Sequence, residues 1–133
     1  EPLGFERRIQ EEVERARRFD LSLCLLIVDG DDQPSAAAWP VYEPLAIALK
    51  SELRASDLFG RLHNGPLAVV LVHSGEEGAR AVITRLKARV AKLTPHLSAC
   101  VQVGGAVFTP ECASADDLIA DAKRAVRAFP SLH

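Results

Sequence analysis

The sequence predicts an α/β fold in which helices flank a central β-sheet, and three observations predict it. Amphipathic stretches with helical spacing alternate with short apolar runs of strand length, in the order α-β-α-β-β-α-β-α. The dipeptide Asn64-Gly65 lies between two of these runs, and it is typical of a β-hairpin because both residues tolerate positive φ. The chain has 133 residues, 48% of them hydrophobic, which is enough for the core of one domain. We therefore expect residues 1–133 to form a single domain.

Helical periodicity predicts a first helix from about residue 4 to residue 18. Apolar residues recur every three or four positions among Glu and Arg: Phe5, Ile9, Val13 and Ala16. The next run, Leu21 to Val28, is short and nearly continuous in apolar residues, so we expect a strand buried on both faces. Turn-forming residues from Asp29 to Pro34 end it.

The middle of the chain predicts a second helix followed by a hairpin. Two prolines leave the start of the helix open between Ala36 and Tyr42, because proline is tolerated only in a first turn. The helix is expected to end at about Ala55. The two strands of the hairpin are expected at roughly 57–63 and 67–73.

The last part of the chain predicts two helices around one strand. Ser74-Gly-Glu-Glu77 has the pattern of a capping box and predicts a third helix to about Lys92. Leu97 to Phe108 is expected to be a strand with two central glycines. Ser114-Ala-Asp-Asp117 then predicts the start of a last helix that ends at about Phe129.

Composition argues against several classes of function. The formal net charge is −2, so no overall field attracts nucleic acid or an acidic membrane surface. The cysteines and histidines have no metal-ligand spacing, and we expect neither a metal nor a cofactor: Cys24, Cys100, Cys112, His63, His73, His96 and His133. Cys24 and Cys100 lie inside apolar runs and are expected to be buried thiols.

The location of the protein is also an expectation from the sequence. The odd number of cysteines favours a reducing compartment, and the chain has neither a signal peptide nor an apolar run near 18 residues. We therefore expect a soluble, cytoplasmic domain without membrane insertion. The chain begins at Glu1 rather than at a methionine, and we expect a fragment of a longer protein.

Several partial sequence matches occur in the order and spacing of one known family. They are Phe5-Glu-Arg-Arg-Ile and Glu14-Arg-Ala-Arg-Arg-Phe before the first strand, Asp29-Gly-Asp31 after it, Arg54-Ala-Ser-Asp57 before the hairpin, and residues 113–125 in the last helix. On these residues the chain resembles a GGDEF (diguanylate cyclase) domain over nearly its whole length. The resemblance implies the palm-like α+β sandwich of the nucleotidyl cyclases, whose central sheet is mainly antiparallel.

An active member of this family joins two GTP molecules into cyclic di-GMP, using carboxylates that hold divalent metal. The resemblance aligns the first of these carboxylates with Asp29. It aligns the signature turn with five residues: His63, Asn64, Gly65, Pro66 and Leu67. In this chain Gly65 and Pro66 therefore stand at the two acidic positions of the signature. His63 and Asn64 stand at the positions of its two glycines.

Other positions of the family pattern are missing as well. The segment between Asp31 and Arg54 is shorter than in the family and has no Asn-Asp…Gly-His…Gly-Asp series for guanine recognition. The Phe-Lys pair of the family is Gln33-Pro34, and its late phosphate-contacting lysine aligns with Pro130. The resemblance therefore implies a degenerate domain that is not an enzyme and has no catalytic residues.

A ligand-binding site of the family survives in the pattern. Many members bind cyclic di-GMP at an inhibitory Arg-x-x-Asp motif five residues before the signature turn, and Arg54-Ala-Ser-Asp57 has this spacing. Counting from the signature turn, the second arginine of that site aligns with Arg85. An arginine fork can pair with guanine or phosphate, and a carboxylate can accept from guanine N–H groups. The resemblance thus implies a cyclic di-GMP receptor within a bacterial signalling protein.

Structural explanations of the same residues stay open. Arg54 also fits a cation at a helix C-terminus, and Asp57 fits a turn or cap residue. Trp39 and Tyr42 fit core packing, a cover for the vacated GTP pocket, or an anchor for a partner.

The alternative function is a ligand-free module for protein interaction or dimerisation, with other domains of the chain, signalling proteins or a second copy as partners. The cluster formed by Arg15, Arg17 and Arg18 is expected to be a solvated helix end, although such arginines could also reach a ligand or a neighbouring domain.

Overall fold

The computed structural model describes residues 2–30, 46–62, 66–93 and 101–128. Its helices and strands are α1 Pro2–Phe19, β1 Leu23–Gly30, α2 over 46–51, β2 Leu58–Arg61, β3 Leu67–Val72, α3 Glu76–Leu93, β4 Val101–Val107 and α4 Ala115–Ala128. This order agrees with the predicted one, with the second helix described only over its last residues. None of the helices in these ranges is long and apolar enough to cross a membrane.

The four strands form one sheet in the order β2-β3-β1-β4. All three pairings are antiparallel, so the mainly antiparallel sheet implied by the resemblance is confirmed. β1 lies in the interior of the sheet and pairs with β3 from Leu23 to Val28 and with β4 from Cys24 to Gly30. The predicted hairpin is confirmed, since the whole of β2 pairs with Leu67 to Val70 of β3 and the Leu62 N–H donates to the Pro66 carbonyl at 2.9 Å.

Helices cover both faces of this sheet. Because side chains alternate along a strand, β1 contributes Leu25 to one face and Leu26 to the other, and both are fully buried. The Leu25 face packs against α1 and α4, including the predicted apolar stripe of α1: Phe5, Ile9, Val13 and Ala16. The Leu26 face packs against α2 and α3, through Ala48, Leu49, Ala79, Val82, Ile83 and Leu86. The prediction that the first strand is buried on both faces is confirmed.

Two glycines permit close approach between the sheet and its helices. A Cβ atom at Gly104 would lie 2.3 Å from the backbone nitrogen of Val126 and 2.7 Å from the Ala122 carbonyl oxygen. Helix α4 therefore packs directly on the backbone of β4. A Cβ atom at Gly60 would lie only 2.5 Å from the Cδ1 atom of the Phe5 ring of α1.

Two predicted boundaries near the hairpin are wrong. Helix α2 ends at residue 51, not at Ala55, because the Arg54 N–H donates to the Asp57 side chain and not to a carbonyl of the preceding helix. The second hairpin strand ends at Val72, since His73 has a φ of 57°, which a strand does not adopt. The predicted start of the fourth strand at 97–100 lies outside the described residues.

The two predicted capping boxes have different outcomes. Ser74 does not open α3, because the Gly75 carbonyl accepts the first helical bond, from the Ala79 N–H at 3.1 Å. Ser114 does cap α4: its hydroxyl accepts from the Asp117 N–H at 3.3 Å, and the Asp117 carboxylate accepts from the backbone N–H of Ala113. The Ser74 hydroxyl is used by another residue, Arg54, which is described next.

Candidate functional site

The loop between α2 and β2 closes on itself through Arg54 and Asp57. The Asp57 N–H donates to the Arg54 carbonyl at 3.0 Å, and the Arg54 N–H donates to Asp57 Oδ2 at 2.9 Å. Aspartate favours such turns because its short side chain can accept from nearby backbone N–H groups. The predicted role of Asp57 as a turn residue is therefore present in the structure.

The Asp57 carboxylate also connects this loop to the sheet. Its side chain is only 2% exposed, and Oδ1 accepts from the Val72 N–H at 3.3 Å, at the end of β3. Guanidinium N–H groups of Arg54 lie 3.2 Å from Oδ1 and 3.4 Å from Oδ2. The carboxylate is thus enclosed by donors of its own protein, and its main effect is to hold Arg54.

Arg54 presents a fixed guanidinium at the surface. Its side chain is 57% exposed, yet Nη2 donates to the Val72 carbonyl at 2.7 Å and to the Ser74 hydroxyl at 2.9 Å. Arg54 lies beyond the end of α2 and contacts the β3–α3 junction, so its position is not explained by a helix C-terminus. A guanidinium held along one edge and open to solvent on the other is suited to binding an anion or a guanine.

Arg85 on α3 pairs with the same loop through Glu52. Arg85 Nε donates to Glu52 Oε1 at 2.8 Å, and Arg89 Nε, one helical turn further, donates to Glu52 Oε2 at 2.8 Å. We call these three residues the Glu52 bridge. The Glu52 side chain is 11% exposed, whereas about half of each arginine side chain is exposed. Hydrogen bonds from Arg89 and then from Arg85 hold the pKa of the Glu52 carboxyl below its usual value.

Two of the three predicted site residues are in contact with each other, and the third is linked to their loop through Glu52. Arg54 and Asp57 are in contact, and Arg85 pairs with Glu52, which precedes Arg54 by two residues. Sequence reasoning missed Glu52, Arg89 and Ser74. The spacing of Arg85 and Arg89 was an available signal, because two like charges one turn apart on a helix favour a carboxylate partner from another element.

The end of α1 is also tied to the rest of the domain. Arg17 donates to the Cys112 carbonyl, and its guanidinium lies 5.5 Å from the centre of the Phe108 ring. Arg15 lines a cleft of ≈ 130 Å³ that is also bordered by Ser56 and His73, next to the Arg54–Asp57 turn. Arg15, Arg17 and Arg18 are nonetheless all exposed, in agreement with the predicted solvated helix end.

Comparison with known proteins identifies the fold. No protein-family model matches the sequence, and no curated protein matches it. Solved structures do match it. The GGDEF domain of DgcB from Caulobacter crescentus, solved in complex with c-di-GMP, superposes with a TM-score of 0.80 at 16% identity, covering 96% of this chain and 82% of that chain. The chain has the fold of a GGDEF domain.

Other solved GGDEF proteins agree with this assignment. The GGDEF domain of YfiN (TpbB) from Pseudomonas aeruginosa has a TM-score of 0.75 at 21% identity, covering 98% of this chain and 84% of that chain. The diguanylate cyclase SiaD from the same organism, solved with its activator SiaC, has a TM-score of 0.79 at 23% identity. That match covers 96% of this chain and 53% of SiaD.

The five residues that the resemblance aligns with the signature turn lie between β2 and β3 in the sequence. His63, Asn64 and Gly65 fall outside the described residues, whereas Pro66 and Leu67 are buried where β3 begins. Pro66 accepts from Leu62 through its carbonyl, and Leu67 packs into the core, so both have structural roles there.

Asp29, which the resemblance aligns with the first carboxylate of the family, lies near the end of β1, and its backbone is opposite that of Gln102 in β4. The predictions for Asp31, Asp32, Gln33, Pro34, Trp39, Tyr42 and Pro130 fall outside the described residues.

The described thiols of this GGDEF-type domain are buried. Burial raises the pKa of the Cys24 thiol to about 12, so it stays protonated near neutral pH, and the prediction of a buried Cys24 is confirmed. Burial also raises the pKa of Cys112, which is 9% exposed. Cys100 lies outside the described residues. Among the residues that are described, no group of three or more His, Cys, Asp or Glu side chains is placed to hold a metal ion.

Proposed function

We propose that this chain is a catalytically inactive GGDEF-like regulatory domain of a bacterial signalling protein, and that it binds cyclic di-GMP at Arg54, Asp57 and Arg85. The observation that carries the proposal is the Arg54 guanidinium, which is 57% exposed and yet fixed by Asp57, Val72 and Ser74. A preorganised donor loses little side-chain entropy when a ligand binds. The DgcB complex with c-di-GMP supports the choice of ligand.

The contacts suggest a division of roles within the proposed site. Nε and Nη2 of Arg54 already donate to Asp57, Val72 and Ser74, so Nη1 would donate to the guanine or to a phosphate. Asp57 is 2% exposed and holds Arg54, so it acts as a positioning residue unless the loop opens. Arg85 is half exposed on α3 and supplies a second cation near the loop.

The residues aligned with the signature turn support the proposed loss of the cyclase reaction. Gly65 and Pro66 replace the two acidic residues, and neither side chain can bind a metal ion or accept a proton. The Pro66 carbonyl is also hydrogen-bonded to Leu62 within the hairpin. These residues support an inactive domain.

We expect the purified chain to form no cyclic di-GMP from GTP and Mg²⁺, because two of the carboxylates that the reaction needs are missing. Chromatographic separation of the nucleotides after prolonged incubation measures this directly. An active diguanylate cyclase assayed in parallel shows that the conditions permit the reaction. Product formation by this chain above its protein-free blank would contradict the assigned inactivity.

We expect calorimetry to detect cyclic di-GMP binding by the chain, and Arg54→Ala to weaken it by roughly 10- to 100-fold. This range corresponds to about 1–3 kcal/mol for a guanidinium that pairs with guanine or phosphate. Arg80→Ala is the matched control, because it removes one exposed cation from α3 at about 140° around the helix from Arg85. Equal binding by the wild type and Arg54→Ala would remove Arg54 from the site.

A second candidate function is a ligand-free interaction module, and the enclosure of Asp57 favours it. A carboxylate that is 2% exposed and hydrogen-bonded to its own loop and to β3 has a structural role without any ligand. The exposed Ile47, with 66% of its surface accessible on α2, is then a candidate contact for a protein partner. SiaD, solved with its activator SiaC, is an example of a protein with this fold that binds another protein. Absence of cyclic di-GMP binding by the wild type would favour this function.

A further inference from the structure

The Glu52 bridge combines a nearly buried anion with two exposed cations. Each Glu52 oxygen accepts from a different arginine at 2.8 Å, Oε1 from Arg85 and Oε2 from Arg89. A phosphate diester likewise has two free oxygens that can accept from two arginines. The Glu52 carboxylate therefore occupies the Nε–H of each arginine and neutralises part of their charge, both of which a phosphate group of a ligand could use.

Two features show that the bridge is not required to attach α2 to the domain. Ala48 and Leu49 of α2 are 2% and 0% exposed and belong to the core between the sheet and α3. Burial of apolar side chains of this kind stabilises the contact without any ion pair. The arginine side chains of the bridge are 52% and 48% exposed, and ion pairs whose cations are this accessible to water contribute little to stability.

The charges of the bridge leave it open to a second anion. One carboxylate lies between two guanidinium groups, so the bridge carries a net positive charge, and two like charges one turn apart on a helix repel each other. Glutamate is ionised near neutral pH, and hydrogen bonds from Arg89 and Arg85 lower the pKa of Glu52 further. Glu52 is thus an anion near neutral pH and competes for the arginines.

We propose that Glu52 is a built-in competitor of the ligand, and that Arg89 joins Arg85 in binding a phosphate group once the Glu52 carboxylate is displaced. The inference rests on the proposed function, since it assigns the regulation of the same site. Glu52 thereby lowers the affinity of the site for the ligand. Arg89 becomes a ligand-contacting residue in addition to the predicted set.

Calorimetric titration of cyclic di-GMP into Glu52→Gln and Arg89→Ala tests the inference. Glutamine keeps the shape of glutamate and removes its charge, so we expect Glu52→Gln to bind about threefold to tenfold more tightly than the wild type. Arg89→Ala is expected to bind at least about fivefold more weakly. Glu76→Gln is the matched control. It neutralises an exposed carboxylate that pairs with Arg80, and Glu76 lies at about 180° around α3 from Arg85. The affinity of this variant for cyclic di-GMP is expected to equal that of the wild type.

The outcomes separate this inference from the proposed function. If the wild type binds, Arg54→Ala loses binding and Glu52→Gln equals the wild type, the receptor function stands and the competitor role of Glu52 is overturned. If Glu76→Gln tightens binding as much as Glu52→Gln does, the effect is one of overall charge, and the specific role of Glu52 is likewise overturned.

A second readout does not depend on cyclic di-GMP. Pyrophosphate is titrated into the wild type and Glu52→Gln while the side-chain Nε–Hε resonances of Arg85 and Arg89 are followed by NMR. We expect both resonances to shift at severalfold lower pyrophosphate in Glu52→Gln. This result supports the competitor even if the domain binds no cyclic di-GMP and the receptor function fails. Identical titration curves for the two proteins overturn the inference.

Discussion

Gly104→Ala is expected to lower the free energy of unfolding by about 3 kcal/mol or more, because helix α4 leaves no room for a side chain at this position of β4. The added Cβ atom would lie 2.3 Å from the Val126 nitrogen and 2.7 Å from both the Val126 Cα and the Ala122 oxygen. These are backbone atoms, so the clash is relieved only if the whole helix moves from the sheet. Chemical denaturation followed by circular dichroism measures the change.

The neighbouring glycine provides the control for this prediction. A Cβ atom at Gly105 would meet the Leu26 Cδ2 atom at 2.8 Å, which is the end of a side chain and can shift more easily than the backbone of a helix. Gly105→Ala changes the same strand by the same atom, and we expect it to cost about 1 kcal/mol or less. Equal stability losses in the two variants would mean that general strand effects, and not the approach of α4, determine the outcome.

The parts of the fold that depend on local patterns could be predicted from the sequence. The continuous apolar run of β1 predicts burial on both faces, and Leu25 and Leu26 are indeed both buried. The helical spacing of Phe5, Ile9 and Val13 predicts the buried stripe of α1, because periodicity depends only on neighbouring residues. The space needed by α4 at Gly104 is a contact between distant segments, which no local pattern contains.

The errors at element ends have a common physical cause. Ser74 matches the pattern of an N-cap, but Arg54 engages its hydroxyl from a different part of the chain, and Gly75 takes the capping position. Similarly, helical propensity around residue 54 is overridden where the Asp57 carboxylate accepts from the Arg54 N–H. Competition between a local motif and a tertiary hydrogen bond cannot be resolved from local sequence.

The candidate site shows the same division. The spacing of Arg54 and Asp57 is local, and the structure brings the two residues into contact. The link from Glu52 to Arg85 and Arg89 joins residues 33 and 37 positions apart, so a pattern search within one element could not find it. The resemblance to the family predicted Arg85 as a site residue, but it did not predict that Arg85 would pair with the Glu52 carboxylate.

Asp57→Ala is expected to lower the free energy of unfolding by about 2–4 kcal/mol, because the lost carboxylate satisfies donors from two parts of the chain. It accepts from the backbone N–H groups of Arg54 and Val72 and from the Arg54 guanidinium, and its side chain is 2% exposed. Alanine leaves the part-buried Val72 N–H without this acceptor, in a place where little water can replace the carboxylate. Denaturation by urea, with the slope compared between variants, measures the loss.

Arg54→Ala is the matched control, since it removes the other half of the pair. Its side chain is 57% exposed, so we expect a loss of about 1 kcal/mol or less, although ligand binding falls. Asp57 would then hold the loop while Arg54 binds the ligand, and the motif would combine a structural residue with a functional one. If Asp57→Ala were as stable as the wild type and lost only binding, Asp57 would instead contact the ligand. Equal destabilisation by both variants, with no effect on binding, would make the pair purely structural and leave protein interaction as the function of the domain.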